Sequence, residues 1–338
     1  MKKIGLLVLS FVFVASASFA QKKKTQQGHT NQNKFRQLSM DMFATPNSQH
    51  TASGAPGINY TQQKVDYVMD IVLDDEKQRI TGKETITYHN NSKDVLPYLW
   101  VQLDQNMRAA DSKTPDIQPN KVPKKLSERR FNRFFPEKPF DGGFKIEYVG
   151  DETGRALPYT INKTMMRIDL PQPLKPGGTF VFDVEWWYNI NDRMKDGGRS
   201  GYEYFEDEDN YLYTIAQFYP RLVVYMDNEG WQNKQFLGSG EFTLNFGDYH
   251  VEITVPEDHV VASTGILKNE KSVLTPEQRK RLQLARKTYD QPVMIVNEAE
   301  ARETEQDKMA GTKTWIFDAE NVRDFGWASS RKFIWDAM

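Results

Sequence analysis

From Val65 onward the chain alternates apolar and polar residues. Val65, Tyr67, Met69, Ile71 and Leu73 are separated by Asp66, Val68, Asp70 and Val72, and the run ends in the turn-forming stretch DDEKQRITG. Successive side chains of a strand point to opposite faces, so this period commits the segment to a strand with one face in a core. ITGKETITYHNNS repeats the pattern with Ile80, Ile86 and Tyr88 on one face, and LPYLWVQLDQN adds a more fully buried run. Strands are expected again at FKIEYV, MMRIDL, FVFDVEWWYNI, YLYTI, RLVVYM, EFTLNF, YHVEITV and GTKTWIF, separated by Gly, Pro, Asn and Asp clusters. Short strands with turn signals between them read as a mainly β, antiparallel domain. No internal repeat of fixed period occurs.

Cysteine is absent, so no disulfide staples this sheet and an apolar core has to stabilise it. Residues 1–20 are set apart from the fold. MKK is a basic start, Ile4 to Val14 is apolar, and ASASFA supplies small residues before a cleavage expected after Ala20, the pattern of a secretory signal. Export to a periplasmic or extracellular address follows. No later segment is apolar enough to span a membrane, and a formal net charge of −2 gives no reason to expect nucleic acid. Residues 21–60 are polar and amide-rich, a strap in which Phe35, Leu38 and Met42 are spaced for a short helix.

Two stretches interrupt the strands. Residues 111–141 are Pro-rich and basic, a long surface excursion. Residues 275–288 open with Thr275 as N-cap, Pro276 at the first helical position and Glu277 in the first turn, which predicts an inserted helix. Near the end, Asp318 is placed to cap a short helix over AENVRDFGWASS. Ile334 and Trp335 then begin a new alternating run without a turn or polar tail, so the end is expected to be a cut near the start of a further domain. The divisions are a signal at 1–20, the strap at 21–60, a β domain at 61–310 and the opening of another domain at 311–338.

No complete catalytic constellation is found. None of the five histidines, His29, His50, His89, His250 and His259, has the i, i+4 spacing of a helical zinc pair. Around Ser239, Gly238-Ser239-Gly240 lacks the full nucleophile-elbow pattern. The acidic run Glu206 to Asp209 lacks the spacing of a calcium loop and reads as a solvated turn. Trp186 and Trp187 are adjacent in a strand, so one is core and a single ring at most faces out.

One segment stays ambiguous on its residues alone: QFYPRLVVYMDNEGWQNKQFLGSGEF, residues 217–242, is either a corner where two sheets meet or the edge of a pocket. In it Trp231 and Phe236 are assigned to packing, and Arg221 to a carboxylate partner.

Three blocks in order carry a resemblance: TASGAPGINYTQQKVDYVMDIVLDDEKQRITGKETITYHNNSKDVLPYLWVQLDQN, AQFYPRLVVYMDNEGWQNKQFLGSGEF and DYHVEITVPEDHVVASTG. Together they resemble the N-terminal region of zinc aminopeptidases of peptidase family M1, relatives of aminopeptidase N and leukotriene hydrolase, in an exported bacterial subfamily. The resemblance implies a saddle-like, multi-sheet antiparallel β domain with a short inserted helix, followed by the truncated start of a thermolysin-like α/β catalytic domain. It implies a peptide substrate and, in the full-length parent, a catalytic zinc; GxMEN and HExxH are absent from this chain, which is therefore expected to be inactive without its own downstream catalytic domain. By the same resemblance Gln217 reaches the cleft, where it accepts a hydrogen bond near the substrate's free α-amine or lines the first specificity pocket. The spacing to Arg221 is shorter than the family's, which makes Tyr219 the other candidate for that pocket. The alternative for Gln217 is a sheet-corner cap beside Pro220, and the alternative for the chain is a secreted, non-catalytic β-sandwich that binds a polymer or partner protein.

Overall fold

The computed structural model describes residues 46–114, 125, 127–128, 131, 140–227, 229–238, 240, 242–306 and 308–338. The expected signal at 1–20, most of the strap with its helix, most of the 111–141 excursion and Ser239 lie outside the described residues. The chain divides into two compact units, Met1–Tyr60 and Thr61–Met338. In the first, the described part is a tight loop closed by a bridge between His50 and Pro56. The second holds all of the strands among the described residues.

In chain order these are β1 (Lys64–Asp74), β2 (Arg79–His89), β3 (Leu96–Gln102), β4 (Lys145–Asp151), β5 (Tyr159–Asn162), β6 (Met165–Leu174) and β7 (Thr179–Asn189). There follow β8 (Gly201–Phe205), β9 (Asn210–Ile215), β10 (Arg221–Leu222), β11 (Tyr225–Met226), β12 (Gly230–Trp231) and β13 (Gly247–Pro256). The last are β14 (Val260–Ser263), β15 (Ile266–Leu267), β16 (Val293–Val296), β17 (Thr312–Val322), β18 (Trp327–Ser330) and β19 (Trp335–Ala337). A seven-stranded sheet runs β15-β17-β13-β1-β2-β7-β4, and two four-stranded sheets run β10-β3-β6-β5 and β14-β18-β9-β8. The fold is mainly β and largely antiparallel, with β1 and β13 a parallel pair.

The alternation read from the sequence is what builds the large sheet. Val65, Met69, Ile71, Ile80, Ile86 and Tyr88 are all buried on its inner face, and β13 and β17 add Val251, Ile253 and Trp315. The two adjacent tryptophans divide as a strand requires: Trp186 is fully buried, while Trp187 turns outward under the Arg79 guanidinium, 3.9 Å from its ring. Gly82 is needed beneath Trp186, because a Cβ there would meet the indole Cζ2 at 2.3 Å. The inserted helix forms over Pro276–Ala285, with Thr275 and Gln278 making a reciprocal capping box.

Elsewhere long-range pairing overrides local signals. The helix expected over AENVRDFGWASS does not form. Asp318 instead pairs with His250 and Lys268, Ala319 pairs with Tyr249 inside β17, and Trp327–Ser330 is the strand β18. RLVVYM is not one strand, since Arg221–Leu222 pairs with β3 and Tyr225–Met226 with β12. Of EFTLNF, the described residues 242–246 hold only the bridge of Phe246 to Lys64. Residues 311–338, read from the sequence as the opening of another domain, supply β17 to the large sheet, β18 to a four-stranded sheet and β19 to a pair with β16.

Candidate functional site

The 216–220 segment is a sheet-to-sheet corner. β9 belongs to one four-stranded sheet and β10 to the other, and five residues carry the chain between them. Phe218 and Tyr219 are both 0% exposed, and Pro220 is buried with them. Phe218 packs edge-on to Trp327 and Trp186, and Tyr219 edge-on to Tyr67, with ring centroids 6.1, 6.4 and 5.3 Å apart. Gln217 differs from them. It is half-buried, and its backbone is left-handed at φ 54°, a conformation a long non-glycine side chain adopts at a cost.

Two side chains hold that conformation. Gln105, 2% exposed, donates from Nε2 to the Gln217 carbonyl at 2.9 Å, and the Ser200 hydroxyl accepts from the Ala216 amide at 3.1 Å. Gln105 sits in the single 3₁₀ turn Asp104–Arg108 that follows β3. Side chains three apart eclipse in such a turn, which brings Arg108 over Gln105, its Nη1 donating to Oε1 at 3.1 Å. Among the described residues the Gln217 side-chain amide makes no hydrogen bond of its own.

Beneath the corner lies a buried ionic strut. Arg221, 4% exposed, donates from Nη2 to Asp104 Oδ2 and from Nη1 to Asp324 Oδ2 at 2.8 Å. Gln102 Nε2 donates to the other Asp104 oxygen at 2.5 Å. Burial pushes the Asp104 carboxyl upward against the opposing pull of Arg221. For Arg221, burial lowers the affinity for its proton, but the two carboxylates outweigh it and the guanidinium titrates above its ordinary value. The Tyr219 hydroxyl donates to Asp324 Oδ1 at 3.0 Å, so its 3.1 Å contact with the Tyr249 hydroxyl has Tyr249 as donor. Burial raises the Tyr219 phenol well above its ordinary value, with Tyr249 and Asp324 adding to the rise.

Of the two site residues named from sequence, the structure puts Gln217 at the partly open side of the corner and encloses Tyr219 within the core. Arg221 has carboxylate partners as expected; Phe236 is 5% exposed, and Trp231 packs on Tyr225 with centroids 5.1 Å apart. Asp104, Gln105, Arg108 and Asp324 were not singled out beforehand. For the first two a signal existed, polar residues ending an apolar run in LWVQLDQN; for Asp324 none did, since it lies 103 positions from Arg221.

No three His, Asp or Glu side chains among the described residues are grouped to hold a metal ion, so these residues do not fit a zinc site. None of the described helices is long and apolar enough to cross a membrane. An apolar cavity of about 290 Å³ lies between β14, β15, the 276–285 helix and Trp335, and is lined by none of the corner residues.

No family model matches the sequence, and no curated protein matches it. Among solved structures, the M1 zinc metallopeptidase of Deinococcus radiodurans aligns with a TM-score of 0.40 at 12% identity, over 81% of this chain and 43% of that one. A mutant of the same enzyme bound to a Tyr-Ser-Ala substrate aligns at 0.39 and 12%, and a two-domain M1 zinc metallopeptidase mutant bound to L-tryptophan at 0.39 and 13%. The chain spans under half the length of each.

Proposed function

We propose that this chain is the substrate-facing β domain of an exported zinc aminopeptidase, and that Gln217 accepts a hydrogen bond from the free α-amine of a peptide. The reading rests on the three sequence blocks that resemble family M1. At the residue level it rests on one observation: Gln217 is the half-buried member of a buried corner, held in a costly left-handed conformation with its own amide unengaged. Residues kept in sparsely populated backbone regions collect at functional sites. An amide oxygen accepts from an ammonium, and its dipole favours the positive charge. Tyr219 supports the corner from below, its hydroxyl already donating to Asp324. The zinc, its ligands and the water-activating base belong in this proposal to a part of the parent protein other than the described residues.

In the full-length protein, Gln217→Ala should lower kcat/KM for short peptides with a free amine by about tenfold to a hundredfold, the value of one hydrogen bond to a charged group. Stoichiometric zinc should be present in the purified protein. Unchanged kinetics would reassign Gln217 to scaffolding. A full-length protein without zinc or peptidase activity would favour a polymer- or protein-binding module.

A further inference from the structure

We propose that Gln105, oriented by Arg108, is the positioning residue that fixes how Gln217 presents its amide to a substrate amine; this rests on the role given to Gln217 above. A side-chain amide can sit in two orientations that exchange its oxygen and nitrogen. At Gln105 only one of them works. The Arg108 guanidinium can only donate, so the atom facing it must be Oε1, and the atom facing the Gln217 carbonyl must then be the donor Nε2. Arg108 thereby sets the polarity of a contact it does not make.

Anchoring the Gln217 carbonyl fixes the peptide plane that follows residue 217, while Ser200 holds the amide of residue 216. With Phe218 and Tyr219 locked in the core, the rotation that would carry Gln217 out of the left-handed region is opposed from both sides. The direction of its Cα–Cβ bond, and hence where the amide can reach, follows from this clamp. The relay has its own supports. Gln105 is 2% exposed, and the Arg108 guanidinium packs on Gly198, where a Cβ would meet Nη2 at 2.7 Å. Among the described residues Arg108 makes no ion pair, and Gln105 is its hydrogen-bonding partner. An arginine committed to a carboxamide rather than a carboxylate is accounted for by this orienting task.

The test is a double-mutant cycle in the full-length protein, read as kcat and KM on a short peptide with a free amine. Gln105→Leu removes the donor. Gln105→Glu keeps the volume and the Arg108 contact, but as a carboxylate it has nothing to give the Gln217 carbonyl. Both should lower kcat/KM by about threefold to tenfold, within the range of one neutral hydrogen bond. Either change combined with Gln217→Ala should cost no more than Gln217→Ala alone, because Gln105 acts only through residue 217. If the losses multiply, Gln105 acts elsewhere and the inference is overturned while Gln217 keeps its role. If Gln105→Glu retains full activity, the contact is a matter of packing, and again only the inference falls. If Gln217→Ala is silent, the underlying reading falls and takes this one with it. Should the Gln105 variants fail to fold, Arg108→Met on the half-buried end of the relay is expected to show the same non-additivity, and multiplicative losses there overturn the proposal equally.

Discussion

Glu84 is the least comfortable residue in the large sheet, and replacing it should stabilise the protein. It stands in the middle of β2, opposite Met69 on β1 and Val184 on β7, with 0% exposure and no partner for either carboxylate oxygen. The titratable groups that feel its charge are Tyr67 on β1 and Tyr249 on β13, and neither hydrogen-bonds to it. Burial pushes the Glu84 carboxyl well above the usual carboxylate range, so the core holds it as a neutral acid. A neutral polar group buried without a hydrogen bond costs about 1–3 kcal/mol in protein mutational data. Glu84→Met, of similar length and apolar, should recover a gain of that order.

The pH dependence gives an independent reading. Below the ordinary glutamate range both folded and unfolded chains carry the proton, and stability is at its fullest. As pH rises the unfolded chain ionises first, and stability falls by about 1.4 kcal/mol per pH unit until the folded-state value is passed. Equilibrium urea unfolding followed by tryptophan fluorescence from pH 5 to 8 measures both effects. The wild-type minus Glu84→Met difference should widen with pH, whereas the difference between Glu84→Gln, which cannot ionise, and Glu84→Met should stay constant. A variant less stable than wild type at every pH, with parallel profiles, would mean that Glu84 is ionised and paired in solution, and the argument would be wrong.

Two further outcomes follow from the buried ionic groups. His259 is 0% exposed, with Nδ1 2.9 Å from the Ser329 hydroxyl and Nε2 unpartnered; burial, against the pull of Asp75 and with the help of Arg331, lowers its pKa from 6.5 to about 4. Its contribution is full above 6.5 and is lost as pH falls towards 4, by about 1.4 kcal/mol per unit; urea midpoints of wild type and His259→Asn should converge on acidification, and parallel curves would refute this. Arg221→Met leaves Asp104 and Asp324 facing each other across the corner. It should cost about 3–5 kcal/mol in urea unfolding, and a loss under 1 kcal/mol would show the strut to be dispensable.

How much of this was legible beforehand depends on how far apart in the chain the cause lies. Inner and outer faces of β1, β2 and β7 follow from period two alone, because a strand's facing is a local property. The same period places Glu84 on the face of Ile80 and Ile86, so the buried acid was readable in KETIT once the face had been assigned. The 276–285 helix was equally local, its start written in Thr275 and Pro276. RLVVYM and AENVRDFGWASS failed for the converse reason: both have fair local patterns, and both are decided by partners at β3, β12 and β13 that no window around them contains. The corner is the extreme case. Period two stops at Ile215, so nothing in QFYP says which side chain faces in. The left-handed turn at Gln217 is stabilised by a glutamine 112 positions earlier, and Tyr219 is oriented by an aspartate 105 positions later. A site assembled from a 3₁₀ turn, a sheet corner and the loop before β18 leaves no spacing in the sequence. The resemblance could point to Gln217, but only the folded chain supplies the reason that residue, and not its buried neighbour, retains an unengaged polar end.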